Sequence, residues 1–120
     1  LHKAIRRQRQ MCIRDSCNLC DISTTSVLRA SHIKEWAESS KEERIDANNG
    51  LLLCANHDAL FDRHLISFEP NTGNICISKS IDDDQRNALN LSKSARISMN
   101  DRMKAYMQIH YKKFIEKENQ

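Results

Sequence analysis

The chain has 120 residues, of which 39% are hydrophobic and 29% are charged, and its net charge is +3. This length allows one small domain, and no apolar stretch approaches the roughly 20 residues that a membrane span needs. The odd cysteine count of 5 and the lack of an apolar signal segment favour a reducing, cytoplasmic location over a disulfide-bonded secreted domain.

Basic charge is concentrated towards the two ends of the chain. Residues 1–14 carry five basic side chains and no acid, and residues 86–117 carry eight basic side chains against two acids. Such clusters neutralise phosphates and indicate a nucleic-acid partner, although a basic helix face is often only solvated. Residues 1–16 are predicted to form a basic arm. Within it, MCIRDS (residues 11–16) resembles translated sequencing-adapter contamination, so the charge of the arm is discounted.

The first half of the sequence predicts two short strands followed by a helix. Weak alternation predicts a strand over residues 26–30 that delivers His32, and a polar stretch over residues 37–47 is a loop or a short helix. The apolar run of residues 51–53 predicts a second strand. A helix over residues 56–61 is expected to pack on this pair of strands.

The second half predicts a hairpin and two helices. The turn sequence of residues 70–73 joins strand candidates at residues 65–68 and 74–78. Three consecutive aspartates favour a helix N-terminus, so a short helix is expected over residues 82–91. A C-terminal amphipathic helix is predicted from apolar and aromatic side chains at i, i+3, i+4 and i+7 spacing. These are Met103, Tyr106, Met107, His110, Tyr111 and Phe114.

Two short chelating pairs lie on either side of the first predicted strand. They are Cys17 with Cys20 and, 33 residues further on, Cys54 with His57. Four such ligands suit a tetrahedral structural Zn²⁺. The alternatives are cysteines that only pack in the core, disulfides, or a redox switch on the first pair. Cys12 and Cys76 lack partners at such spacing and are predicted to be packing residues.

Two sequence strings then point to a known family. ASHIKEW (residues 30–36) and NGLLLCANHDALFDRHLISF (residues 49–68) resemble the second HNH nuclease family, and the resemblance covers residues 17–78. It implies an α+β fold, namely a small ββα-metal, treble-clef-like domain with a structural zinc site. With the C-terminal helix, this HNH domain is expected to cover residues 17–120. Family members cut phosphodiester bonds of DNA in restriction and related DNA-processing systems.

The same resemblance implies a role for three residues. His32 matches the first motif histidine and is the candidate general base, because a neutral imidazole near pH 7 accepts a proton. Asn49 matches the motif asparagine, which is expected to hold the loop and aim His32. Asp58 takes the third position and is the candidate ligand of a catalytic Mg²⁺ or Mn²⁺, which leaves His57 for the zinc. The competing assignment gives the catalytic ion to His57 and leaves the zinc site incomplete.

Three positions depart from the family pattern or stay open. Ser31 stands where some HNH proteins carry an acidic metal ligand. Asp62 is a candidate substitute ligand, but it is equally suited to cap its helix or to pair with Arg63. His64 stands where relatives often have glycine, which predicts a left-handed turn.

The sequence therefore predicts a zinc-stapled, metal-dependent HNH endonuclease that hydrolyses DNA. The rival is a non-catalytic zinc module that binds nucleic acid or a protein, which has no need of His32 and Asn49 together. Only one basic helix and the discounted arm remain to supply specificity. A homodimer or a larger restriction-system partner is therefore expected.

Overall fold

The computed structural model describes residues 16–20 and 22–120, so residues 1–15 of the predicted basic arm, which include Cys12, lie outside the described residues. The strands are β1 (Leu28–His32), β2 (Gly50–Cys54), β3 (Ile66–Phe68) and β4 (Ile75–Ile77). The helices are α1 (Lys41–Ile45), α2 (Ala55–Asp62), α3 (Asp83–Ala88) and α4 (Asp101–Glu118). No helix in these two ranges is long and apolar enough to cross a membrane.

The first hairpin and α2 form the predicted ββα unit. β1 pairs antiparallel with β2, with Leu28 opposite Cys54 and His32 opposite Gly50. All five residues of β2 are buried, and α2 begins directly after it and packs against both strands. The first strand starts two residues later than predicted, because its ladder begins opposite Cys54, where the chain enters α2. The preceding residues 25–27 form a short 3₁₀ turn instead.

The predicted second hairpin is confirmed and consists of β3 and β4, which pair antiparallel. Its turn contains Gly73, whose φ of 78° lies in the left-handed region. A Cβ at this position would lie 2.1 Å from the carbonyl oxygen of Ile97, so both the backbone angle and the close approach require glycine.

The two predicted later helices are also present. At the start of α3, the Asp82 side chain accepts a hydrogen bond from the amide of Gln85 at 2.9 Å, which is an N-terminal cap. α4 buries one stripe on the core, formed by Met103, Met107, His110 and Phe114. The lysine and arginine side chains of α4 lie outside this stripe and are exposed or half-buried.

His110 connects α4 to α2 and β3. Its Nε2 donates to the carbonyl of Phe61 at 2.7 Å, and the Ser67 hydroxyl donates to its Nδ1 at 2.8 Å. The imidazole also stacks on the Phe61 ring, with 3.9 Å between centroids. Burial lowers the pKa of His110 to about 4, so the ring is neutral at pH 7. This neutral histidine completes the core beneath α2.

Candidate functional site

The four predicted zinc ligands converge at the start of α2. Their ligand atoms all lie within 4.8 Å of one another in a set formed by Cys17, Cys20, Cys54 and His57. Nδ1 of His57 lies 3.3 Å from Sγ of Cys17 and 3.4 Å from Sγ of Cys54. Tetrahedral zinc with ordinary bond lengths places S and N atoms about 3.6 Å apart. The donor set therefore fits a closed zinc site, and none of its cysteines forms a disulfide.

A backbone contact fixes the orientation of the His57 ring. Nε2 of His57 lies 2.6 Å from the carbonyl oxygen of Leu89, just after α3. A carbonyl only accepts hydrogen bonds, so Nε2 carries the proton and Nδ1 presents its lone pair to the thiols. His57 is therefore held in the tautomer that a metal ligand needs.

The short distances between the thiols also favour a bound cation, because negative charge on one thiol opposes ionisation of its neighbour. Burial opposes a negative charge on Cys17, yet its contact with His57 and hydrogen bonds from backbone amides lower its pKa to about 6. Burial and the neighbouring Cys17 charge raise the pKa of Cys20 to about 12. One thiolate thus disfavours the next, and a divalent cation removes this repulsion.

His32 is half-buried at the C-terminal end of β1. It pairs with Gly50 and so lies at the opposite end of the β1–β2 ladder from Cys54, one of the predicted zinc ligands. Its Nε2 lies 3.0 Å from the carbonyl oxygen of Arg44 and therefore donates to it. In the neutral ring the lone pair is then on Nδ1. The geometry leaves Nδ1 as the atom of His32 that is able to accept a proton.

Asn49 cross-links the segment that follows His32. Its side-chain oxygen accepts from the amide of Lys34 at 2.7 Å, and its side-chain nitrogen donates to the carbonyl of Glu43 at 3.0 Å. The residue is only 1% exposed, so these bonds form away from water. Asn49 therefore joins the segment after β1 to α1. Helix α1 also contains Arg44, whose carbonyl holds His32.

The carboxylate of Asp46 supports the turn that carries Asn49. The Asp46 side chain accepts from Tyr106 at 2.8 Å and from Arg102 at 2.9 Å, both on α4. Although burial opposes its charge, bonds from the Asn48 amide and from Tyr106 lower the pKa of Asp46. The C-terminal helix α4 thus fixes the segment between α1 and β2, which carries Asp46 and Asn49.

Asp58 lies on α2 next to His57 but contacts a different neighbour. The hydroxyl of Ser31, the residue before His32, donates a short hydrogen bond to Oδ1 of Asp58. Asp62 lies one helical turn further on, and its pKa is raised by partial burial and by the charges of Asp58 and Glu35. Two carboxylates thus share one side of α2 beside the end of β1.

His64 confirms the predicted left-handed turn after α2. Its φ is 58°, and its Nε2 lies 3.5 Å from a carboxylate oxygen of Glu35. Burial lowers the pKa of His64, and the ring stacks on His110 with 4.4 Å between centroids. The turn carries the chain away from the carboxylates and into β3.

Several basic groups of α4 are engaged within the protein. Arg102 pairs with Asp46 at 2.9 Å, Lys113 pairs with Glu35 and Glu38, and Lys117 donates to a backbone carbonyl. The basic cluster seen in the sequence is therefore partly neutralised at this helix. Its main structural effect is to hold the loop that follows β1.

The sequence-based prediction missed the contacts that surround His32. Trp36 packs edge-on against it with ring centroids 5.1 Å apart, and Arg44 both holds the imidazole and covers the indole. Only the i, i+4 spacing of Asp58 and Asp62 was a usable signal for the paired carboxylates.

These observations define the class of the protein as a small α+β domain with short antiparallel strands, a ββα unit and a Cys₃His cluster that suits zinc. The family model of the HNH endonucleases matches residues 17–69. The similarity to the HNH endonuclease family that the sequence motifs predicted is thus found over residues 17–69, and the general activity of that family is nucleolytic. No curated protein shows significant similarity to the chain.

Proposed function

We propose that this protein is a metal-dependent endonuclease that hydrolyses phosphodiester bonds of DNA, in a restriction or DNA-processing system. The observation that carries the proposal is that Asp58 contacts Ser31, the residue next to His32 at the end of β1, while the Arg44 carbonyl leaves the lone pair of His32 on Nδ1. A base beside a hard oxygen ligand is what phosphodiester hydrolysis requires. The family match over residues 17–69 supports the same activity.

His32 acts in this proposal as the general base. The Arg44 carbonyl fixes the proton on Nε2, so Nδ1 takes the proton of the attacking water. Asn49 keeps the segments on either side of His32 in register through its bonds to Lys34 and Glu43. Preorganisation of this kind matters because small displacements of a base lower the rate steeply.

Asp58, with Asp62 as a second ligand, holds the catalytic Mg²⁺ or Mn²⁺ in this proposal. Their carboxylate oxygens are hard donors, and their mutual repulsion favours a bound cation. An ion held by these carboxylates would supply positive charge near the scissile phosphate and the leaving 3′ oxygen. Ser31 orients Asp58 through its hydroxyl and occupies the place of an acidic ligand found in some relatives.

Plasmid cleavage tests the proposal. The purified protein is incubated with supercoiled DNA and either Mg²⁺, Mn²⁺ or no divalent ion. We expect nicked or linear DNA only with the ion, and we expect His32→Ala to lower the rate by roughly 100-fold or more. Zinc content and thermal stability of the variant should stay nearly unchanged. Equal cleavage by the variant and the parent protein would remove His32 from the mechanism.

The same assay distinguishes the endonuclease from its rival. Binding of DNA without any metal-dependent cleavage would instead support a non-catalytic zinc module. A homodimer or a larger restriction-system partner remains our prediction for how the small domain gains specificity, and a reducing cytoplasm remains the predicted location. Size measurement in solution with and without DNA checks the first of these.

A further inference from the structure

An exposed indole lies beside the candidate general base. Trp36 is 54% exposed and sits in a short 3₁₀ turn four residues after His32. The two rings meet edge-on, with 5.1 Å between centroids and an interplanar angle of 80°. Tryptophan is on average well buried in folded proteins, and it is the only one in this chain.

The indole is held in place by its surroundings. The guanidinium carbon of Arg44 lies 4.5 Å from the ring centroid, and its Nε donates to the Trp36 carbonyl at 2.9 Å. Lys113 of α4 binds both Glu35, which precedes this turn, and Glu38, which is its last residue. A ring fixed in this way loses little conformational entropy when a ligand stacks on it.

The charged surroundings favour a planar, polar ligand over an apolar protein partner. Arg44 lies over the indole, and Lys113 forms ion pairs with Glu35 and Glu38 of the same segment. Ile45, which follows Arg44 in the chain, is an exposed aliphatic side chain. A nucleobase offers a planar face for the indole, and its phosphate offers charge for the guanidinium. Stacking of this kind is known to tolerate every base.

We propose that Trp36 stacks on an unpaired nucleobase next to the scissile phosphate, so that the substrate class is DNA with unstacked nucleotides at the cleavage point. This inference rests on the proposed function. In an intact duplex the base faces are covered by neighbouring base pairs, and exposing one costs free energy. Single-stranded DNA, flaps and mismatched sites avoid that cost.

Intrinsic fluorescence tests the proposal directly, because Trp36 is the sole tryptophan. The zinc-loaded protein is titrated without Mg²⁺ or Mn²⁺, using a single-stranded oligonucleotide and a blunt duplex of the same sequence. We expect the single strand to quench most of the emission and to bind at least about tenfold more tightly than the duplex. Equal quenching and affinity for both DNAs would overturn the substrate class.

Variants assign the effect to the ring. In anisotropy measurements with a labelled single strand, Trp36→Ala should weaken binding about tenfold, and Trp36→Phe should retain most of the affinity. The matched control is Val27→Ala, since Val27 is 40% exposed and lies at the other end of β1 from His32. If Trp36→Ala binds as tightly as Val27→Ala, the inference is wrong.

These measurements involve no cleavage, so they separate the two proposals. Quenching by a single strand without any plasmid or oligonucleotide cleavage would leave the stacking role intact and overturn the endonuclease. Cleavage without quenching would do the reverse.

Discussion

The Cys₃His cluster and the face of α2 beside β1 differ in burial and in the chemistry of the ligand atoms that they offer to a metal ion. The Cys₃His cluster has four potential ligand atoms within 4.8 Å, it is largely buried, and the Leu89 carbonyl fixes its histidine. The face beside β1 is more open and offers carboxylate oxygens and the imidazole of His32. Consecutive residues, His57 and Asp58, thus serve different regions because successive side chains of a helix point about 100° apart.

The difference indicates how one short helix contributes to stability on one face and, in our proposal, to chemistry on the other. A closed set of four ligands leaves no position for substrate, so its metal contributes to folding. An open set with repelling carboxylates costs stability, and it gains by binding a cation and a phosphate. The following substitutions should therefore have opposite effects in the two regions.

The largest effect is expected at the closed cluster. Cys54→Ser should abolish stoichiometric zinc binding and cooperative folding, because the metal links the hairpin to residues 17–20. Metal analysis and thermal unfolding followed by circular dichroism check this. The matched control is Cys76→Ser, since Cys76 is half-buried and outside the cluster, and it should cost about 1 kcal/mol or less. A folded, zinc-free Cys54→Ser protein would contradict the structural role.

The second prediction compares the two neighbours on α2. His57→Ala should release zinc and destabilise the domain, because it opens the cluster. Asp58→Ala should keep zinc and DNA binding but require at least about tenfold more Mg²⁺ or Mn²⁺ for cleavage, since its loss removes a first ligand of the ion. Zinc content and the metal dependence of plasmid cleavage are the measurements. The opposite pattern, with zinc kept by His57→Ala and metal dependence unchanged in Asp58→Ala, would exchange the two roles.

The smallest effect is expected at Asp62, and its sign is opposite to that at the cluster. Partial burial and the Asp58 charge raise the pKa of Asp62, so the ionised carboxylate disfavours the folded state when no ion is bound. Asp62→Asn should therefore stabilise the ion-free domain by up to about 0.5 kcal/mol, while weakening Mg²⁺-dependent cleavage. Thermal unfolding without Mg²⁺ provides the measurement.

The pH dependence of this gain follows from the direction of the shift. The unfolded chain loses the Asp62 proton at a lower pH than the folded chain, so the free energy of unfolding falls as pH rises between the two pKa values. The advantage of Asp62→Asn should be complete above the folded pKa and should vanish below about 3.8, the ordinary pKa of the aspartate. A gain that stays constant as the pH is lowered through the folded pKa, within the range in which zinc stays bound, would point to a cause other than charge.

Local sequence patterns were sufficient for most elements and for the zinc ligands. Chelating pairs with two residues between them bring their own atoms together, and the periods of strands and helices are visible in the chain itself. For this reason β2, α2, the second hairpin and α4 lie close to their predicted ranges. The left-handed turn at His64 was also predictable, from the glycine usual at that place.

The surroundings of His32 depend on residues that are distant in sequence. The sequence placed the histidine at a strand end and, by resemblance, gave it an asparagine partner. Only the tertiary structure brought the Arg44 carbonyl to Nε2, the Ser31 hydroxyl to Asp58, and the α4 side chains Arg102 and Tyr106 to Asp46. Such contacts have no period along the chain, because they arise where separate elements pack. The predicted zinc ligands could therefore be identified from local spacing in the sequence. The tautomers, orientations and exposure of the histidine and carboxylate side chains were decided by the packing of separate elements.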